Sequence, residues 1–591
     1  MKSKTTFFWF ILAAALAGSI WILDRYFQPV TPTVATLLPG LRADAVTSVQ
    51  IIPAGASEIT AHRTNQVWEL DKPLVYPAQA AGIQSLLATL EKLIPTSRLT
   101  ANDLRGKNTD VEFGLEKPLF SVVIKAGEQQ WQFRIGSKTA PGDSVFIRVV
   151  GVDGLFLTGT DWLAQLPVKA DDWRDTSLLA LNGAYDRIVI TNGTKTIEMR
   201  RDPTNRLWRL TQPLPARANE QIITTALQQL QAARIEQFVT NDPHADLTGY
   251  GLQPADLDLW FGNGTNLTTA VHVGKSPAGD ATRLYVRRDN WNAVATAAKD
   301  TFTVWRGAVT DFRDRHLFVP NERVAEIEVR GETTNGFTLQ LNGTNRWTVA
   351  GEKFSADSET VWSFLKQLYD LRVTKFVKDV NTAQDLQDFG LTPPARQITL
   401  RAVAGDTNSV TQLQFGAAQT NQVFVKRADE AYVYALAPEA VGRLPLSGWQ
   451  FRERRPWNFS ETNVTQLTLH QRGKTRLLVR TGVNKWSLAT GQGIVDPVGL
   501  EQSASQLGGL TVVGWVARNP AEPEKFGLNP DNLQVIVELK SGEKCTLDFG
   551  LEFSETALCA VTLDGERWVG VLPPTVYALA LQYLVIPDKA P

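Results

Sequence analysis

Histidine and cysteine are the side chains most often used for proton transfer, metal ligation and nucleophilic attack, and this chain holds few of either. Its five histidines are His62, His244, His272, His316 and His470, and no two are spaced as a helical ligand pair. They read as scattered surface or core residues. Cys545 and Cys559 are the two cysteines, too few for a disulfide-dense scaffold or a cysteine zinc cluster. Both lie on apolar stretches that read as neighbouring strands. Two outcomes stay open: one bridge in an oxidising compartment, or two buried thiols acting as small hydrophobes. Gly274-Lys275-Ser276 looks like the tail of a phosphate loop, but Thr269 stands where the loop needs glycine and Pro277 where a helix must begin. No Gly-x-Ser-x-Gly elbow occurs. No catalytic constellation, metal site or cofactor site is expected.

A different set of residues recurs. Trp173-Arg174-Asp175, Phe312-Arg313-Asp314 and Phe451-Arg452-Glu453 repeat an aromatic, an arginine and an acid at intervals of 139 residues. One reading makes these arginines a row of anion or partner contacts. The other pairs each with an acid or a helix end and pins one domain to the next. Recurrence at a boundary favours the pin. Trp68, Trp208, Trp347 and Trp486 step by 140, 139 and 139 residues. Stacking on sugars is one use for such a residue, but a repeated tryptophan inside a strand is expected in the core. Phe113-Gly114-Leu115, Tyr250-Gly251-Leu252, Phe389-Gly390-Leu391 and Phe526-Gly527-Leu528 form a third series, with Pro118, Pro254, Pro393 and Pro530 following. Apolar strands ending in Gly136, Gly274, Gly416 and Gly550 form a fourth. Four series in one period of about 139 residues establish a four-fold internal repeat.

The elements that position these markers follow from periodicity. Each unit opens with an alternating strand such as Val46–Ile52 or Val464–Leu469, then turn chemistry such as Asn192-Gly193, then the tryptophan strand. The triplets Asn192-Gly193-Thr194, Asn263-Gly264-Thr265 and Asn342-Gly343-Thr344 match the glycosylation sequon, yet hairpin turns explain them more simply. Ile83, Leu86, Leu87, Leu90 and Leu93 form one apolar helical stripe. Ile223, Ala226, Leu227 and Leu230 repeat it, as do Val361, Phe364, Leu365 and Leu368. Asp496-Pro497 reads as the cap and first residue of the fourth such helix. The glycine tag is expected at the corner from this helix to the sheet, with positive φ at the glycine. The predicted fold class is α+β: a mostly antiparallel sheet with one main amphipathic helix, four times over. Expected boundaries are 44–180, 181–320, 321–460 and 461–591.

Ahead of the repeats, Lys2 and Lys4 precede an uncharged run from Phe7 to Leu23, 17 residues long and closed by Asp24. Its length is at the short end for a span, and the flanking charges place the N-terminus inside. Ala15-Leu16-Ala17 resembles a cleavage site, but the apolar run continues past it, so an uncleaved anchor over 1–24 is the expectation. Proline-rich residues in 25–43 predict an extended stalk. Sixty basic and sixty-one acidic residues leave a net charge of −1, so nucleic acid is not an expected partner.

The ordered series of tryptophan strand, helix, aromatic-Gly-Leu tag, apolar-glycine strand and arginine-acid step resembles the bacterial family catalogued as domain of unknown function 4340. The resemblance covers nearly everything after the stalk, and the fourth copy departs by lacking the arginine-acid end. It implies a membrane-anchored protein, some relatives being encoded beside ABC-transporter subunits, and it transfers no catalytic residue. The expected function is a non-enzymatic accessory or scaffold of an envelope complex in the bacterial inner membrane, with its body on the periplasmic side and envelope or ABC-transporter proteins as partners. The alternative is a binding module for cell-envelope polysaccharide or peptide.

Overall fold

A computed structural model describes residues 13, 15–19, 21, 35–179, 185–289, 291–318, 324–331, 336–343, 346–402 and 410–587. In the first repeat, Val49 and Ile51 alternate with polar neighbours in β1 (Ser48–Pro53), so that strand buries one face. A meander continues outward through β2 (Ile59–Thr64), β3 (Val67–Lys72) and the short β4 (Tyr76–Pro77). Helix α1 (Ala80–Glu91) follows and leads to β5 (Ser97–Leu99). The second meander is β6 (Phe120–Ala126), β7 (Gln129–Lys138), β8 (Ser144–Val149) and β9 (Leu155–Gly159). One sheet results, in the order β4-β3-β2-β1-β6-β7-β8-β9-β5, with every pairing antiparallel. The two meanders join where β6 lies against β1, with Val49 opposite Ile124 and Ile51 opposite Val122. Ile83, Leu86, Leu87 and Leu90 of α1 are buried in the same core as Val49, Ile51, Val122 and Ile124.

The plan recurs. The second repeat also has nine strands in this order; the third and fourth have eight, without a counterpart of β4 among the described residues. The sheets span 48–159, 187–298, 324–436 and 464–571. Helices α2 (Glu220–Ala232), α3 (Ser358–Asp370) and α4 (Pro497–Gly508) occupy the position of α1. Asn219 and Asp357 cap α2 and α3 by accepting from the third amide of the helix. Asp496 accepts from Val498 N and Gly499 N at 3.0 Å, and Pro497 opens α4. The chain divides into two compact units, Met1–Arg313 and Asp314–Pro591, with two repeats in each.

Three expectations change. Four sheets of eight or nine strands, against one helix of 12 or 13 residues each, make the fold mostly β rather than α+β. The glycine tag is not the corner between main helix and sheet. A strand follows each main helix and pairs with the last meander strand, as β5 does with β9. Only then comes a short second helix, and the tag ends that one: Gly251 and Gly527 are left-handed C-caps. Finally, residues 35–43 are not stalk. Leu37, Leu38, Leu41 and Ala43 are buried in the first core, and Leu37 N donates to Leu93 O at 2.7 Å. Three leucines and an alanine gain more from that core than from extension into water. Most of the expected anchor over 1–24, and the start of the stalk, lie outside the described residues. Among the described residues, no helix is long and apolar enough to cross a membrane.

Candidate functional site

Each arginine-acid step first returns to its own repeat. Gln79 N donates to Trp173 O, Asn219 N to Phe312 O and Asp357 N to Phe451 O, at 2.7–2.8 Å. This ties the step to the start of the main helix. In the first unit, the fully buried Arg174 then reaches the next repeat. Its guanidinium carbon lies 4.1 Å from the ring centre of Tyr76 and 3.4 Å from that of Phe238, a residue of the second sheet. The two rings meet edge-on at 5.6 Å and 82°. Burial lowers the proton affinity of Arg174 below the ordinary arginine value, and a hydrogen bond to Asp171 at 3.1 Å opposes it. Asp175 accepts from Ser177 N at 2.9 Å and pairs with Arg288 at 3.2 Å.

The second unit repeats this arrangement. Phe354 and Trp568 meet edge-on at 5.6 Å and 86°, with the carbon of Arg452 at 5.1 and 4.5 Å from their centres. Arg452 pairs with Asp564 at 2.7 Å, and the Trp515 indole donates to the Arg452 and Glu453 carbonyls at 3.1 and 3.3 Å. Arg518 bridges Glu352 and Glu566, both at 2.7 Å. Arg313 is buried and bridges to Ala218 of its own repeat, while Asp314 accepts from His316 N at 3.0 Å. The aromatic partners Tyr76, Phe354, Phe238 and Trp568 escaped sequence reasoning. Tyr76 and Phe354 sit two periods apart, but Pro215 holds the place between them and hides the series.

The other markers are construction. Trp68, Trp208, Trp347 and Trp486 are 1%, 2%, 0% and 7% exposed, so none offers a face to a ligand. Gly114, Gly251, Gly390 and Gly527 have φ of 67°, 68°, 65° and 69°, the left-handed region. The third and fourth marker series meet in space. A β-carbon at Gly136, Gly274, Gly416 or Gly550 would overlap the carbonyl oxygen of the tag aromatic Phe113, Tyr250, Phe389 or Phe526. Ser137 N donates to Phe113 O at 2.8 Å and Lys275 N to Tyr250 O at 3.1 Å, so the tag is stitched to the strand.

Cys545 and Cys559 are both free and buried, which removes the bridge. The register explains why. Cys559 faces Phe549, four residues from Cys545 along the neighbouring strand, which is about 13 Å at strand rise and far beyond disulfide reach. Burial pushes the Cys545 thiol up to about 11 and the Cys559 thiol up to about 12. The histidines stay apart: His62 contacts Asp71 at 2.8 Å, His272 contacts Asp258 at 2.6 Å, and His470 contacts Thr475 at 2.9 Å. Among the described residues no group of His, Cys, Asp and Glu could hold a metal ion.

A further set of polar residues lies on the solvent side of each sheet. Two residues before the strand glycine, a cross-strand row begins with Ser121, Arg134 and Arg148 in the first repeat. Its counterparts are Asp258, His272 and Arg287, then Gln397, Gln414 and Lys426, then Gln534, Asp548 and Ala560. All but Ala560 keep contact with solvent. In the fourth repeat Asp548 accepts from Gln534 and Arg567, both at 2.7 Å, at the floor of a groove of about 400 Å³ walled by Leu528, Asn529 and Pro530 of the tag.

A family model described as domain of unknown function (DUF4340) matches residues 68–206, 208–353 and 347–531. Those matches cover well over half of the 591 residues. The chain belongs to this family. No curated protein matches it. The first DUF4340 match starts at Trp68 and the second at Trp208, each after two strands of its sheet have passed. A tandem repeat can be cut at any phase, so these limits and the sheet limits describe one period from different starting points.

Proposed function

We propose that this chain is a non-enzymatic scaffold of a bacterial envelope complex, anchored in the inner membrane by residues 1–24 and carrying its repeats outside the cytoplasm. One observation carries the reading. The positions that build each repeat are the same in kind and buried, while the solvent-facing row runs Ser121, Arg134, Arg148 in the first copy, Asp258, His272, Arg287 in the second, Gln397, Gln414, Lys426 in the third and Gln534, Asp548 in the fourth, so its first two positions change chemistry from copy to copy while a cation closes the first three. A protein built this way offers several distinct surfaces on a uniform frame, which suits binding to more than one partner subunit. Lys2, Lys4 and the uncharged run to Leu23 support the anchor and its orientation. Association with an ABC transporter is the partner we favour, on the resemblance alone.

Cross-linked membranes holding the tagged full-length chain test this. Recovery of integral membrane transport subunits in fixed ratio to the bait is expected. Recovery of none above an untagged control overturns the reading. Alkaline carbonate washing tests the anchor separately: the chain is expected in the membrane pellet, and its release to the wash would refute residues 1–24 as a span.

A further inference from the structure

We propose that the solvent face of the second sheet binds a neutral pyranose ring of a glycan, with the Trp260 indole as its platform. Trp260 lies on strand Leu257–Asn263, fifth of the nine strands in its sheet, and is partly exposed. Its cross-strand neighbours are Val189 on one side and Ala270 on the other. Directly opposed side chains stand about 5 Å apart; Ala270 is buried at 1% exposure, and the indole keeps the contact with solvent. His272 meets the indole edge-on at 5.7 Å and 83°. Its Nδ1 lies 2.6 Å from Asp258 and its Nε2 4.0 Å from Asp289. Beside this cluster opens a cavity of about 140 Å³ lined in part by Thr268, Thr269, Ala270, Asp289 and Trp291. Ala270 and Asp289 belong to both, so platform and cavity are continuous.

A pyranose has an apolar C–H face and a rim of hydroxyls. The face fits an indole; the rim fits carboxylates, an imidazole and threonine hydroxyls that both give and accept. Asp258 and Asp289 are balanced by Arg287, which stands across the strand pair from His272, and by Arg288, which lines the cavity and pairs with Asp175 at 3.2 Å, so the site carries no excess of either sign and suits a neutral sugar. An extended peptide is disfavoured because it gains affinity by hydrogen bonding to an open strand edge, and this strand is paired on both sides. The site belongs to one repeat. The counterparts of Trp260 are Val123, Thr399 and Ile536, none of which can serve as a platform. The site goes beyond the scaffold reading and does not rest on it.

Saturation-transfer NMR on the full-length chain tests the site with cellopentaose, chitopentaose and maltopentaose, set against an oligogalacturonate and a lysine-containing pentapeptide. Transfer to at least one neutral oligosaccharide is expected. Its affinity should fall about tenfold in Trp260→Ala and measurably in Asp289→Asn. Asp289 is at the surface, so that variant decides the matter if Trp260→Ala loses its fold. No transfer to any neutral probe, transfer undiminished in both variants, or stronger transfer to the acidic oligomer or the peptide would each overturn the proposal.

Discussion

Arg174 shows what a buried cation can do without a facing carboxylate cage. Its charge lies over the electron-rich faces of Tyr76 and Phe238, and Asp171, itself partly exposed, pairs with it. Truncation removes the cation–π contact and leaves a hole between two repeats. Arg174→Ala is expected to cost about 3 kcal/mol, and Arg174→Lys to recover only part because an ammonium cannot stack as a planar fork. Thermal unfolding of both variants checks this; a lysine variant as stable as wild type would refute the stacking. At Gly274 the demand is space, since a methyl would overlap the Tyr250 carbonyl. Gly274→Ala should destabilise its repeat by at least about 2 kcal/mol, read as a lower denaturation midpoint. The two thiols, pushed up to about 11 and about 12, stay protonated near neutrality. Iodoacetamide should therefore label neither Cys545 nor Cys559 in the native chain and both after unfolding, without a reductant. Rapid native labelling would contradict their burial.

At the scale of elements, a polar contact joins strand and helix in the fourth repeat, as Glu220 does with Trp208 N at 3.0 Å and Arg201 at 3.5 Å in the second. Glu501 on α4 accepts from Arg480 at 2.6 and 3.1 Å and from the Trp486 indole at 2.9 Å. The Arg480 hydrogen bond, followed by that of Trp486, holds the Glu501 carboxyl below its usual range. A folded-state value below the unfolded one means the stabilisation is complete above about pH 4.3 and disappears as pH falls through the folded value. Glu501→Gln should lower the melting temperature at pH 7, by an amount worth about 1–2 kcal/mol, and the gap should narrow as pH falls below about 4.3 and vanish once it passes the lowered folded value. A gap constant with pH would mean that charge plays no part. The strands, the four main helices and the left-handed tag glycines were legible because alternation, 3.6-residue stripes and Gly-Pro spacing each leave a local signature. The short helix before the tag was not. In the second repeat it is the four-residue Leu247–Tyr250, too brief to show a stripe. The strand after each main helix was also missed: Ser97–Leu99 holds two polar residues in three, and only its partner Leu155–Gly159 makes it a strand. The cross-strand rows are invisible for the same reason, since register decides which residues meet.

For the whole molecule, the division after Arg313 separates two pairs of repeats, and in each pair an arginine lies over two rings from different repeats. A fragment of 35–313 and one of 314–591 should each fold alone, with cooperative melting and native-like circular dichroism; an unfolded half would show that the pairs depend on each other. On the proposed function, construction is buried and recognition lies on the solvent-facing rows, whose first two positions differ between copies. Photo-cross-linking from single positions in native membranes tests it most directly. A photoreactive residue replaces Arg134, His272, Gln414 or Asp548 in turn, with the exposed hairpin residue Lys195 as control. Adducts to a membrane protein from one or more row positions, and none from Lys195, are the predicted result. Adducts from no row position, or the same adduct from row and control alike, would contradict the account.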